Sequence, residues 1–187
     1  MEKRLKDSLR LAVDFLEKNN LGYAIIGGIA LAQWGVVRST HDVDIKVLVP
    51  DANYPSAQAT ILAAFPEQAR LQGPQNPLIV AVTIANVIVD FLLALPGYEE
   101  LIIERAVEWN INGWSAWVCS AEDLIIQKAI AGRGKDWLDI EALLTAQQGK
   151  LDEAYIEDWL VQFAEVLEST QLLQEYQRLL TKTTRSE

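Results

Sequence analysis

Apolar residues Leu5, Leu9, Ala12, Val13 and Leu16 recur at helical spacing and predict a helix over 3–18. Tyr23–Ile26 is a short unbroken apolar run, read as a buried strand that stops at Gly27-Gly28. Ile29–Trp34 then reads as a short helix closed by Gly35. Val43–Val49 alternates apolar and polar positions in the period of two that marks a strand with one buried face. Ala52–Phe65 is helical in pattern, with Pro55 in its first turn, where a missing N–H costs nothing. Leu78–Ile84 and Val87–Leu93 form a predicted hairpin around Ala85-Asn86, followed by a helix over Glu99–Val107. Glu108–Ile111 and Trp114–Val118 form a second hairpin around Asn112-Gly113, a pair suited to a type I′ turn. Ser120 opens a helix, and Asp123 three residues on resembles the second member of a capping box. From there to Thr183 the pattern is helical, with breaks near 132–134, 148–150 and Ser169.

The pattern changes at about residue 120. Residues 1–119 read as an α/β core and 120–187 as a helical region packed on it, since the first part alone is small for an independent core. No repeat, low-complexity tract or long linker interrupts the 187 residues. Half the residues are apolar, enough for a sizeable core.

Charge narrows the function classes. With 26 acidic and 16 basic residues the formal net charge is -10, which argues against a general nucleic-acid binder but leaves room for a local basic patch. The single cysteine, Cys119, lies in an apolar run and is expected to be a buried structural thiol; no intrachain disulfide can form. The N-terminal stretch lacks an apolar signal region. The most apolar stretch, 78–95, carries Asn86 and Asp90 and is β-branched, so it reads as a strand pair and not a membrane span. A reducing, cytoplasmic setting is the expectation.

The chemistry gathers around residues 38–49. On a strand, Asp42, Asp44 and Lys46 project to one face and Val43, Ile45, Val47 and Val49 to the other. Carboxylates two residues apart have Cα atoms roughly 6.5 Å apart, close enough to converge on hard cations. A cation between them also relieves their mutual repulsion. Taken alone, Asp-x-Asp is equally compatible with an ordinary solvated strand face. Gly27-Gly28 changes the balance: glycines between a buried strand and a helix allow close backbone approach, and the helix start offers N–H groups to a phosphate. Asp90 sits among Val87, Ile88, Val89, Phe91, Leu92 and Leu93, where a carboxylate needs a partner or a metal. Such a third carboxylate can complete a metal site and accept the proton of an attacking hydroxyl.

The sequence Ile26-Gly27-Gly28, then Asp42-Val43-Asp44-Ile45, then Asp90, resembles the nucleotidyltransferase superfamily with the polymerase-β-like fold, over about residues 20–95. The resemblance implies an α+β fold: a mixed sheet flanked by helices, followed by a C-terminal helical bundle. It implies Mg²⁺ (or Mn²⁺) held by Asp42, Asp44 and Asp90, and a nucleoside triphosphate near Gly27 and Gly28. The activity implied is transfer of NMP to an acceptor hydroxyl on a protein, an RNA such as tRNA, or a small molecule. A segment from Ala121 to Asp139 is similar to AbiE-type toxin nucleotidyltransferases. By that likeness Lys128 contacts nucleotide phosphate, Arg133, Lys135 and Asp136 line the cleft, and an antitoxin is a possible partner. Read from the residues alone, Lys128 is equally a snorkelling lysine, and Lys135, Asp136 and Asp139 an intrahelical salt-bridge network. Many superfamily members carry Gly-Ser where this chain has Gly27-Gly28, which shifts weight onto Arg38, Ser39 or Thr40 as phosphate contacts; Arg38 is equally a surface arginine.

His41 is the only histidine and lacks a nucleophile-elbow motif, so it reads as a local orienting or exposed residue. No CxxC, HExxH or P-loop pattern is present, and the six tryptophans are scattered as packing anchors. The rival reading is a nucleotidyltransferase-fold module that binds nucleotide or a partner protein without turnover.

Overall fold

The computed structural model describes residues 1–69 and 76–184. The first helix, α1 (Lys3–Lys18), buries the predicted stripe Leu5, Leu9, Ala12, Val13 and Leu16. Strand β1 (Tyr23–Ile25) leads into α2 (Gly27–Gln33), and β2 spans Asp42–Val47. After a 3₁₀ turn at Pro50–Ala52 come α3 (Tyr54–Ala64), β3 (Ile79–Ile84), β4 (Val87–Leu93) and α4 (Tyr98–Glu104). Strands β5 (Val107–Asn110) and β6 (Ser115–Val118) follow, then α5 (Ala121–Ala131), α6 (Gly134–Ala146), α7 (Glu153–Val166) and α8 (Gln171–Thr184).

Several boundaries differ from the sequence expectation, each for a local reason. Helix α2 begins at Gly27 and not at Ile29, so both glycines lie in its first turn. Helix α3 begins at Tyr54, because Asp51 and Ala52 take positive φ and Asn53 caps the helix by accepting the Ser56 N–H. Helix α4 stops at Glu104, leaving Val107 to start β5. Ser120 caps α5 by accepting the Asp123 N–H at 3.0 Å. Its hydroxyl donates in turn to Asp123 Oδ2 at 2.6 Å, so the Asp123 side chain closes on the hydroxyl and not, as in a capping box, on the cap's backbone N–H. Both hairpin turns form, with positive φ at Ala85 and Asn86 in one and at Asn112 and Gly113 in the other.

The six strands form one mixed sheet in the order β3-β4-β2-β1-β6-β5. Pairs β2–β4 and β1–β6 are parallel; the others are antiparallel. One face, built from Val43, Ile45, Val47, Val80, Val82, Val89, Phe91 and Leu93, is buried. Helix α1 packs on it, with Phe15 edge-on to Phe91 and Phe65. Ser8, the polar residue within the α1 stripe, donates to the Ile84 carbonyl at 2.7 Å. The anchored hydrophobic face thereby fixes which way the polar residues of β2 and β4 point.

Two compact units divide the chain: Met1–Ala30 with Ser39–Cys119, and Leu31–Arg38 with Ser120–Glu187. The first holds the sheet. The second holds α5 to α8 around Leu124, Ile125, Ile140, Leu143, Ile156, Leu160, Leu172, Tyr176 and Leu179. Segment Leu31–Arg38 joins the second unit through Gln147 Nε2, which donates to the Trp34 carbonyl at 2.8 Å, and through Arg38 on Asp139 at 3.1 Å. Among the described residues no helix is long and apolar enough to cross a membrane.

Candidate active site

Three carboxylates stand on the face of the sheet opposite α1. Asp42 and Asp44 alternate with the buried Val43 and Ile45 on β2. On β4, the parallel neighbour, Asp90 is the register partner of Asp44, while Asp42 faces Ile88. Paired residues of adjacent strands share a face, so the topology brings a residue 46 positions along the chain beside Asp44. Asp90 is buried, 4% exposed, and Asp42 and Asp44 are half-buried.

Gly27, with φ +65, lies directly against Asp44. A Cβ built on it would collide with Asp44 Oδ2 and come within 3.0 Å of Asp44 Cγ. Gly28 is similarly close to Thr40, whose Oγ1 would stand 2.5 Å from an added Cβ. The Thr40 hydroxyl donates to Asp42 Oδ1 at 3.1 Å. Gly27 is therefore fitted to a residue of the carboxylate strand and Gly28 to one just before it. Ser39 and His41 are exposed on the approach to β2.

Lys46, on the same face, is drawn away from the carboxylates. It is 5% exposed and pairs with Glu99 of α4 at 2.5 Å, while Glu99 Oε2 accepts the Leu95 N–H at 2.8 Å. No sequence signal pointed to Glu99, because 53 residues separate the partners and neither lies in a motif.

In the second unit, Lys128 is 6% exposed and does not snorkel to solvent. Its ammonium lies 2.6 Å from Asp139 and 3.5 Å from Asp136. Arg133 holds Asp136 through Nε at 2.5 Å and Nη2 at 3.2 Å, and Arg38 reaches Asp139 at 3.1 Å. Burial works against ionisation of Asp136, but the Arg133 hydrogen bond and the Lys128 charge outweigh it and hold its carboxyl below the usual range. The alternative of a network confined to Lys135, Asp136 and Asp139 is replaced by one that spans α5, α6 and the segment ending at Arg38. Asp139 is its hub, signalled in sequence only by its i,i+3 spacing from Asp136 on α6.

All the donors on the sheet face are carboxylate oxygens, the set that hard cations such as Mg²⁺ and Mn²⁺ take. The glycine at position 27 leaves backbone and the Asp44 carboxylate in contact with no side chain between them. Among the described residues no three His, Cys, Asp or Glu groups already stand in metal-holding geometry. The backbone positions fit such an ion, and the side chains must turn toward it.

A mixed sheet bearing these carboxylates on parallel neighbours, beside a glycine-lined turn, defines the nucleotidyltransferase class of fold. The chain belongs to the family described as "Nucleotidyl transferase of unknown function (DUF2204)", whose model matches residues 5–175, and it is an enzyme of the phosphorus-transferring class. Its fold is similar to that of an antigenic nucleotidyltransferase-like protein from Paracoccidioides brasiliensis, with TM-score 0.57 and 18% identity over 98% of this chain and 90% of that one. It is also similar to the antibiotic-resistance factor ANT(2'')-Ia, with TM-score 0.60 and 15% identity over 90% and 97% of the two chains. A putative nucleotidyltransferase from Thermotoga maritima matches with TM-score 0.50 and 18% identity over 73% and 89%. At these identities the likeness is one of fold. No curated protein sequence matches the chain.

Proposed function

We propose that this enzyme transfers NMP from a nucleoside triphosphate to an acceptor hydroxyl, with Asp42, Asp44 and Asp90 as its catalytic carboxylates. The observation that carries this reading is the β2–β4 register, which sets Asp90 beside Asp44, while the missing side chain of Gly27 lets the Asp44 carboxylate lie directly against its backbone. Asp42, Asp44 and Asp90 would hold Mg²⁺ (or Mn²⁺), which supplies charge stabilisation for the entering and leaving oxygens. Asp90, the most buried of the three, takes the proton of the acceptor hydroxyl. The hydroxyl oxygen bonds to the α-phosphorus, and the bond from that phosphorus to pyrophosphate breaks. Gly27 and Gly28 present backbone to the phosphates, and Ser39 adds a hydroxyl nearby.

Arg38, Lys128 and Arg133 gather around Asp136 and Asp139, cations of the kind that contact phosphate, with Asp136 fixing Arg133. This role and an antitoxin partner extend the AbiE-type likeness of the segment around Lys128. For the acceptor, the net charge of -10 favours a protein or a small molecule over RNA. ANT(2'')-Ia, solved in complex with adenylyl-2''-tobramycin, is a neighbour in fold at 16% identity that supports the small-molecule case.

The test is incubation with each labelled triphosphate, Mg²⁺ and cell lysate, with mass spectrometry of the labelled species. Wild type should label one acceptor and release pyrophosphate, and Asp42→Ala and Asp44→Ala should label none. Undiminished transfer by these variants would refute the mechanism.

A further inference from the structure

We infer that Thr40 is a positioning residue: its hydroxyl orients the Asp42 carboxylate for metal binding, and Gly28 is glycine because Thr40 must pack against its α-carbon. The inference rests on the reading that Asp42 holds the cation. It assigns Thr40 a function distinct from a phosphate contact.

Three observations converge. The Thr40 hydroxyl lies 3.1 Å from Asp42 Oδ1 and 3.4 Å from the Asp42 carbonyl oxygen. Its single proton serves one acceptor at a time, and the shorter, charge-assisted bond to the carboxylate is the stronger. Thr40 Oγ1 and Cβ would stand 2.5 and 2.7 Å from a Cβ on Gly28, so the threonine side chain fills the place where any other residue's Cβ would project. Gly28 itself has no positive φ to explain the glycine, so the space for Thr40 is what requires it. Threonine is also stiff at χ1, since two heavy atoms on Cβ restrict it. Wedged against Gly28, it holds its hydroxyl in one place.

The consequence is mechanical. A carboxylate on a half-buried strand face samples several rotamers, and two carboxylates repel one another apart. A hydrogen bond to Asp42 Oδ1 fixes that oxygen and with it the plane in which the carboxylate meets a cation. Because the donor is braced on Gly28, the glycine turn and the first carboxylate of β2 move together. Partners that orient a metal ligand in this way typically change metal affinity by ~10–100-fold when removed.

The experiment measures Mn²⁺ affinity by electron paramagnetic resonance, without nucleotide, on full-length wild type, Thr40→Val, Thr40→Ser and Asp42→Asn. Thr40→Val keeps the shape and loses the hydroxyl; it should bind Mn²⁺ roughly tenfold more weakly. Thr40→Ser should recover to within about threefold of wild type, as the hydroxyl is what matters. Wild-type affinity in Thr40→Val overturns the inference, as does Thr40→Ser binding no better than Thr40→Val. Should Thr40→Val not fold, Thr40→Ala against Thr40→Ser carries the same comparison, with circular dichroism as the check on fold. Wild type and Asp42→Asn binding Mn²⁺ equally would instead remove the reading of Asp42 as a metal ligand, a different failure from the first two.

Discussion

Gly27 shows how one residue can be read two ways. In sequence it is a turn glycine before a helix; in the structure its positive φ and its contact with Asp44 both exclude a side chain. Gly27→Ala must therefore displace Asp44 or distort the entry to α2. Displacement of a reacting group by about 1 Å typically costs ~100-fold in rate. The expected outcome is a loss of turnover of that order with the far-ultraviolet circular dichroism unchanged, and a Gly27→Ala enzyme at full rate would contradict the assigned contact. The carboxylates themselves were legible from alternation, because Asp42 and Asp44 interrupt a strand whose other face is apolar. Asp90 was legible as an anomaly, a charge among Val89, Phe91 and Leu92. Its place opposite Asp44 was not, since register is set by pairing between strands and leaves no trace in a single segment.

At the level of elements, hairpins and helices were readable where local chemistry decides them, as at Asn112-Gly113 and along α1. Helix starts were less so. Asp51 and Ala52 adopt positive φ against their own preference, and the helix waits for the Asn53 cap. The packing of α5 on α6 held the larger surprise, because Lys128 looked like a lysine leaving an apolar helix. It is instead buried between Asp136 and Asp139. Removing one partner of a buried charge network is strongly unfavourable, so Lys128→Met should destabilise the protein by about 3 kcal/mol in denaturant titration. A change below about 0.5 kcal/mol would mean that the network contributes nothing net. The network also predicts a pH response. The Asp136 carboxyl is held below the unfolded value of about 4, so the folded state binds fewer protons than the unfolded one across that window. Its stabilisation is complete above about pH 4 and is lost as pH falls through the lower folded value. Asp136→Asn should accordingly be less stable than wild type at pH 7, with the gap narrowing below pH 4. A gap that is constant between pH 7 and 3 would exclude this titration as the source.

For the molecule as a whole, a change of composition near residue 120 does not reveal the return of Leu31–Arg38 to the helical unit. Residues 31–38 look like a spacer between a glycine turn and the strand that carries Asp42 and Asp44. Yet the Trp34 carbonyl receives the Gln147 side chain, and Arg38 reaches Asp139, contacts that link positions more than a hundred residues apart. Long-range partners of this kind are invisible to any window of sequence. They carry a consequence for how the chain can be divided. A cut between Cys119 and Ser120 separates residues 31–38 from the unit to which they belong, so neither half contains all of its own contacts. Halves 1–119 and 120–187 expressed together, with a tag on one, should co-purify. Arg38→Ala combined with Gln147→Ala should weaken that association several-fold, because it removes a part-buried ion pair and a hydrogen bond, interactions worth about 1 kcal/mol or more each. Expressed alone, 120–187 should show less helix by circular dichroism than its share of the full chain. Two halves that purify separately, each with full secondary structure, would place residues 31–38 outside the helical unit and leave the boundary at 120 as a simple one.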